Sequence, residues 1–66
     1  NMDISVIIPV YNEAGRIGDT IETIIAYFNK SDYQYEIIII DDGSQDNTLS
    51  VIQAFCEAGH AIEIVG

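Results

Sequence analysis

Basic side chains are nearly missing from this chain: two Lys and Arg residues stand against eleven Asp and Glu, a formal charge of −9. The average field of such a chain repels a phosphate backbone or an anionic lipid surface, which argues against direct nucleic-acid binding. It does not exclude a single nucleotide, because backbone amides, or a metal supplied elsewhere in a fold, can hold phosphate locally. Cysteine is reduced to Cys56, so no internal disulfide can form. There is also no secretory leader pattern and no apolar run long enough to span a bilayer. A reducing, cytoplasmic setting is the expectation. Asn1 ahead of Met2 suggests Met2 as the natural start of a protein truncated downstream.

What the chain does have is aliphatic bulk. Hydrophobic residues make up 48% of its 66 positions, more than a disordered or surface-binding peptide carries. At this length folding buries only roughly 60% of the surface exposed by the unfolded chain. Stability is therefore expected to be marginal and the core incomplete.

The order of segments follows from periodicity. Ile4 to Val10 predicts a strand whose run Val6-Ile7-Ile8 lacks polar alternation, as in a parallel sheet buried on both faces. Pro9, having no N–H, belongs at its end. Ile17, Ile21, Ile24, Ile25 and Phe28 recur at helical spacing and predict a helix from about Gly15 to Asn29, with Asn12 as its N-cap. Tyr35 to Ile40 reads as a second and most buried strand. Asp46 is placed to cap a second helix carrying Leu49, Ile52, Phe55 and Cys56 on one face. Gly59 would stop that helix, and Ala61 to Val65 would begin a third strand. The predicted order is β-α-β-α-β with right-handed crossovers, an α/β fold on a parallel sheet.

In such sheets ligands gather outside the carboxyl ends of the strands. Two segments fall there: Pro9-Val10-Tyr11-Asn12-Glu13 and Asp41-Asp42-Gly43-Ser44. If the strands are neighbours, the Tyr11 ring and the Asp42 carboxylate face one crevice. A flat base can stack on the ring, while an ionised carboxylate accepts the imide N–H of uracil or the N–H groups of guanine. The backbone around Pro9 and Ile40 completes the cradle. Plainer readings stand beside this one. Asp-Gly-Ser after a strand is a common turn in which Asp41 or Asp42 bonds its own backbone. Tyr11 can be half-buried packing, and Glu13 can simply favour the positive end of a helix dipole.

The stretch Ser5 to Glu13, followed by Ile38-Ile39-Ile40-Asp41-Asp42-Gly43-Ser44-Gln45-Asp46-Asn47-Thr48, resembles the opening of family 2 glycosyltransferases, and the likeness covers nearly the whole chain. With Tyr35-Glu36 before the isoleucine run and Asp46 and Thr48 after the turn, it is most similar to the polyprenyl-phosphate (dolichyl-phosphate) mannosyl- and glucosyltransferases. The resemblance implies a GT-A fold, a Rossmann-like nucleotide-sugar-binding domain of which residues 1–66 are the incomplete N-terminal part. It implies hexose transfer from a UDP- or GDP-linked sugar to an acceptor such as a polyprenyl phosphate at the cytoplasmic face of a membrane. It matches Pro9, Tyr11, Glu13, Ile40 and Asp42 to positions that touch the base and ribose. It also implies that the divalent cation, Mg or Mn, and the catalytic groups belong to residues beyond Gly66. By that reading no catalytic or metal residue lies in this chain, which alone should be inactive.

Other readings are weaker. A dinucleotide-binding oxidoreductase needs a glycine-rich turn after its first strand, where this chain has Pro9 to Glu13. Asp42, Ser44, Asp46 and Thr48 have the alternate spacing of a calcium loop, but Asn47 and Gln53 replace its obligatory glycine and glutamate. A receiver module would carry its acidic pair after the first strand. Cys56 and His60 read as packing residues rather than a thiol–imidazole pair. A non-catalytic reading also stands, in which the chain is a small α/β module that binds or self-assembles. The chain alone is expected to self-associate or to be only loosely folded, because a three-stranded sheet leaves an edge and apolar faces uncovered; self-association without nucleotide binding would favour the module.

Overall fold

A computed structural model describes residues 2–66. Strand β1 (Ile4–Val10) leads to helix α1 (Ile17–Asn29), strand β2 (Tyr35–Asp41), helix α2 (Thr48–Glu57) and strand β3 (Ile62–Val65). The strands form one parallel sheet in the order β1-β2-β3. Ile4 to Val10 pair in step with Tyr35 to Asp41, and Ile37 to Ile40 pair with Ile62 to Val65. The expected α/β order and parallel sheet are therefore present.

The β-branched residues of β2 occupy the middle of the sheet, where such side chains pack well against neighbours on both sides. Ile37 and Ile39 are completely buried, together with Ile17 and Ile21 of α1 and Ile52 of α2. Each such side chain contributes about 1.5–3 kcal/mol relative to an exposed one. Val10 closes this core at the end of β1.

The sequence pattern suggested strands buried on both faces, and also a core left incomplete by so short a chain; among the described residues only one face is covered. Two successive crossovers of the same hand, stepping in the same direction, put both helices on one side of the sheet. Val6, Ile8, Ile37, Ile39, Ile62 and Ile64 pack toward the helices. Their alternates do not: Ile7 is 62% exposed, Ile40 42% and Val65 41%. On this open face Ile7 sits in register with Ile38, and Pro9 with Ile40. A continuous aliphatic run thus marks a strand whose second face lacks a partner within these residues.

Helix α1 also starts later than periodicity suggested. Its first residue is Ile17, its N-cap is Arg16, and no side chain caps it. The Glu13 carbonyl accepts the amides of Arg16 and Ile17, so a turn through Ala14 and Gly15 precedes the helix. Asn12 is not the cap; it has a left-handed backbone, φ 50°, and its side chain is engaged elsewhere, as described below.

The end of α2 follows expectation. After the C-cap Ala58, Gly59 takes φ +99° and its amide donates to Cys56 O, while the His60 amide donates to Phe55 O. These two bonds form a Schellman motif. Its usual hydrophobic contact is made by the Phe55 and His60 rings, 6.1 Å apart. The Cys56 thiol donates to Ile62 O at 3.6 Å, so Cys56 and His60 both serve the turn into β3. A side chain at Gly59 would meet no atom within 4 Å, which leaves backbone strain as the sole penalty. Gly59→Ala is expected to lower stability by about 1–2 kcal/mol. Gly15→Ala, in equally open space and without a positive φ, should change it little. Denaturant melts of the two variants make the comparison.

Candidate functional site

The β1 to β2 register determines which groups can meet at the carboxyl ends of the strands. Val10 is paired with Asp41, and the Asp42 amide continues the ladder by donating to Val10 O at 3.0 Å. Tyr11 and Asp42 are therefore the first residues past two adjacent strand ends, as the sequence suggested. From there the segment before α1 and the segment before α2 run side by side.

Side chains of one segment satisfy backbone amides of the other. The Asn12 amide donates to Ser44 Oγ at 3.0 Å, the Glu13 amide to Thr48 Oγ1 at 2.8 Å, and the Ala14 amide to Asp46 Oδ2 at 3.3 Å. In return the Gln45 amide donates to Asn12 Oδ1 at 2.8 Å. Thr48 is the one fully buried polar residue among those described. Its hydroxyl receives the Glu13 amide and donates to Asp46 Oδ1, so donor and acceptor are both engaged, as a buried hydroxyl requires.

Sequence reasoning missed this lacing. The only available signal was the alternate spacing of Ser44, Asp46 and Thr48, noted above for its likeness to a calcium loop. Those three oxygens point at the amides of Asn12, Ala14 and Glu13. Asp46 was expected to cap α2, but the N-cap is Asn47, which makes no side-chain cap bond. Asp46 instead accepts the Thr48 amide at 2.9 Å from one position earlier.

The two aspartates at the end of β2 differ in what they do. Asp41 folds its carboxylate back over the turn and accepts the amides of Gly43 and Ser44, both at 3.2 Å through Oδ2. Gly43 allows that turn with φ +80°. The turn reading of Asp-Gly-Ser thus falls on Asp41. Asp42 is exposed, and its carboxylate takes no hydrogen bond among the described residues.

The other expected residues surround this point. Tyr11 is 54% exposed. Pro9 and Ile40 are register partners on the open face. Glu13 pairs its carboxylate with Arg16 at 2.6 Å, an exposed ion pair that contributes about 0–1 kcal/mol and leaves further lone pairs free. The strand ends thus present a ring, an unbonded carboxylate and two apolar surfaces. Such a set can stack a planar heterocycle and accept its N–H groups.

The residues here do not fit a metal. No group of three or more His, Cys, Asp or Glu side chains able to hold one occurs among the described residues. Asp41, Asp46 and Glu13 are already bonded to backbone amides, Thr48 and Arg16. Nor is any described helix long and apolar enough to cross a membrane.

Asp46 is the titrating group in this lacing. The Thr48 hydroxyl, with the amides of Thr48 and Ala14, holds its carboxyl below the ordinary aspartate value of 3.8 against a smaller opposing effect of desolvation. A lowered folded-state pKa stabilises the fold above the unfolded value, and this contribution disappears as pH falls through the folded one. Asp46→Asn is therefore expected to flatten the acid side of the stability profile below pH 3.8. Acid titrations followed by circular dichroism on parent and variant check this, and superimposable profiles would rule it out.

The comparisons with known proteins agree with this architecture. The profile of Glycosyl transferase family 2 matches residues 5–65. A dolichyl-phosphate beta-glucosyltransferase from Dictyostelium discoideum is 39% identical, over 86% of this chain and 19% of its own length. An undecaprenyl-phosphate 4-deoxy-4-formamido-L-arabinose transferase from Proteus mirabilis is 38% identical, over 94% of this chain and 20% of its own length. Among solved structures, a mannosyltransferase from Pyrobaculum calidifontis in complex with GDP-Man and Mn2+ superimposes with a TM-score of 0.75 at 30% identity, covering 94% of this chain and 18% of that one. The chain spans about a fifth of the length of the curated relatives it matches. The β-α-β-α-β unit is part of a GT-A fold, and the chain belongs to glycosyl transferase family 2.

Proposed function

We propose that residues 1–66 are the N-terminal, nucleotide-gripping part of a longer glycosyltransferase that moves a hexose from a UDP- or GDP-linked sugar to a polyprenyl phosphate. The relatives support the reaction class, since they are named for transfer to dolichyl and undecaprenyl phosphate. The solved mannosyltransferase supports the donor class, since it carries GDP-Man. In this reading Tyr11 stacks on the base, Asp42 accepts its N–H groups, and Pro9, Ile40 and Glu13 border base and ribose. The divalent cation, present as Mn2+ in that mannosyltransferase, supplies charge to offset the diphosphate and is held by parent residues outside this chain. The acceptor is met at the cytoplasmic face of a membrane.

One observation carries the assignment of Asp42. Its neighbour Asp41 is occupied by the turn's own amides, while the Asp42 carboxylate stands unbonded beside Tyr11 at the strand ends. An acceptor that binds ground state and transition state alike changes affinity more than rate. Losing one charge-assisted hydrogen bond costs on the order of 1.5–3 kcal/mol. In the parent protein Asp42→Ala should therefore weaken UDP or GDP binding by roughly ten- to a hundredfold. Asp41→Ala should lower the melting temperature and alter affinity much less. Isothermal titration of both variants, with folding checked by circular dichroism, separates the roles; unchanged affinity in Asp42→Ala removes the base contact.

The open sheet face supports a second expectation, for the chain on its own. With Ile7, Ile40 and Val65 exposed and the outer edge of β1 unpaired among the described residues, the isolated chain should self-associate or remain loosely packed. Sedimentation at micromolar concentration tests this, and a compact monomer with a cooperative melt would contradict it.

A further inference from the structure

We infer that Thr48 is a positioning residue: its buried hydroxyl, held by Asp46, sets the Tyr11–Glu13 segment opposite Asp42, and nucleotide affinity at this crevice passes through it. The second half of that statement rests on the nucleotide reading above; the first half rests on geometry alone.

Tyr11 to Ala14 lies outside regular structure, so its path is fixed by whatever its amides bond to. Three consecutive amides, those of Asn12, Glu13 and Ala14, reach side-chain oxygens of Ser44, Thr48 and Asp46. The middle bond is the shortest of the three, at 2.8 Å, and it ends on the only fully buried oxygen-bearing side chain among the described residues. Thr48 opens α2, whose Ile52 is locked in the core. Its hydroxyl is therefore tied to the rigid part of the molecule, whereas Ser44 belongs to a turn.

The hydroxyl is also held in orientation. Asp46 Oδ1 accepts both the Thr48 amide and the Thr48 hydroxyl, which directs the hydroxyl proton to the carboxylate and an oxygen lone pair to Glu13. Asp46 Oδ2 then reaches the Ala14 amide. One carboxylate and one hydroxyl thus hold two successive amides of the loop that carries Tyr11. Thr48 itself, being completely buried, cannot touch a ligand, and any effect it has on binding must act through the loop.

The test uses the parent protein with Thr48→Val, which keeps the shape and loses the hydroxyl, and Thr48→Ser, which restores the hydroxyl without the methyl. Hydrogen exchange at the Asn12, Glu13 and Ala14 amides is one readout and UDP or GDP affinity the other. Thr48→Val is expected to expose all three amides to faster exchange and to weaken binding roughly tenfold, as loss of about one hydrogen bond's net contribution implies. Thr48→Ser should recover both, even if its melting temperature stays low because of the missing methyl. Unchanged exchange at Glu13 in folded Thr48→Val overturns the inference, as does loss of protection with no change in affinity. If the unsubstituted parent binds no nucleotide, the nucleotide reading fails, and the exchange pattern alone decides whether Thr48 positions the loop.

Discussion

The pairing of β1 with β2 is the constraint on which the other features depend. Parallel strands cannot be joined by a tight turn and need a crossover, here α1, long enough to return to the starting end. Because β3 is added on the far side of β2, α2 must lie on the same face as α1, and the two helices share one core with the alternate residues of every strand. The same pairing brings Val10 level with Asp41 and delivers both connecting segments to one end of the sheet. Core, open face and crevice are three consequences of a single register.

Once the segments are adjacent, the loop amides have to be satisfied. A loop before a helix carries several amides with no partner in regular structure, and burying them unpaired costs about 1–3 kcal/mol each. Ser44, Thr48 and Asp46 meet this need from across the crevice, and Asp41 meets it within its own turn. Of the polar side chains after β2, Ser44, Asp46 and Thr48 thus build the loops, whereas the Asp42 carboxylate takes no hydrogen bond among the described residues. What sets Asp42 apart is its place, the first residue past the end of β2, next to the strand end from which the exposed Tyr11 leaves β1.

Most of the fold could be read from the sequence, because its signals are local. The isoleucine spacing of α1, the β-branched run of β2 and Gly59 at the end of α2 each specify an element without reference to distant residues. Three features could not be read this way. Asn12 does not cap α1 but accepts the Gln45 amide, a contact across the crevice. Which face of the sheet these residues cover depends on where the helices cross, and an unalternating aliphatic run does not tell the two faces apart. The lacing around Thr48 depends on matching donors in one loop to acceptors in another, and a hydroxyl's burial has no periodic signature. Tyr11 and Asp42 were legible as a pair because strand order and strand ends were legible. Which of the two aspartates serves the turn was not, since Asp41 and Asp42 are chemically identical until the backbone bends.

The charge of the chain bears on which part of a nucleotide it can hold. With a formal charge of −9, its field opposes a diphosphate within a Debye length of roughly 8–10 Å. Of its two cations, Arg16 is already paired with Glu13. A base is neutral and offers N–H donors, so an acidic surface can bind it through the same carboxylates that repel the phosphates. On the proposed reading the chain therefore contributes orientation and base selection, and the charge that retains the diphosphate must come from the cation and from parent residues outside it. That separation limits Asp42 in turn. Moved toward the phosphates it would add to the repulsion, so its usefulness depends on remaining at the strand end where the Asp41 turn places it.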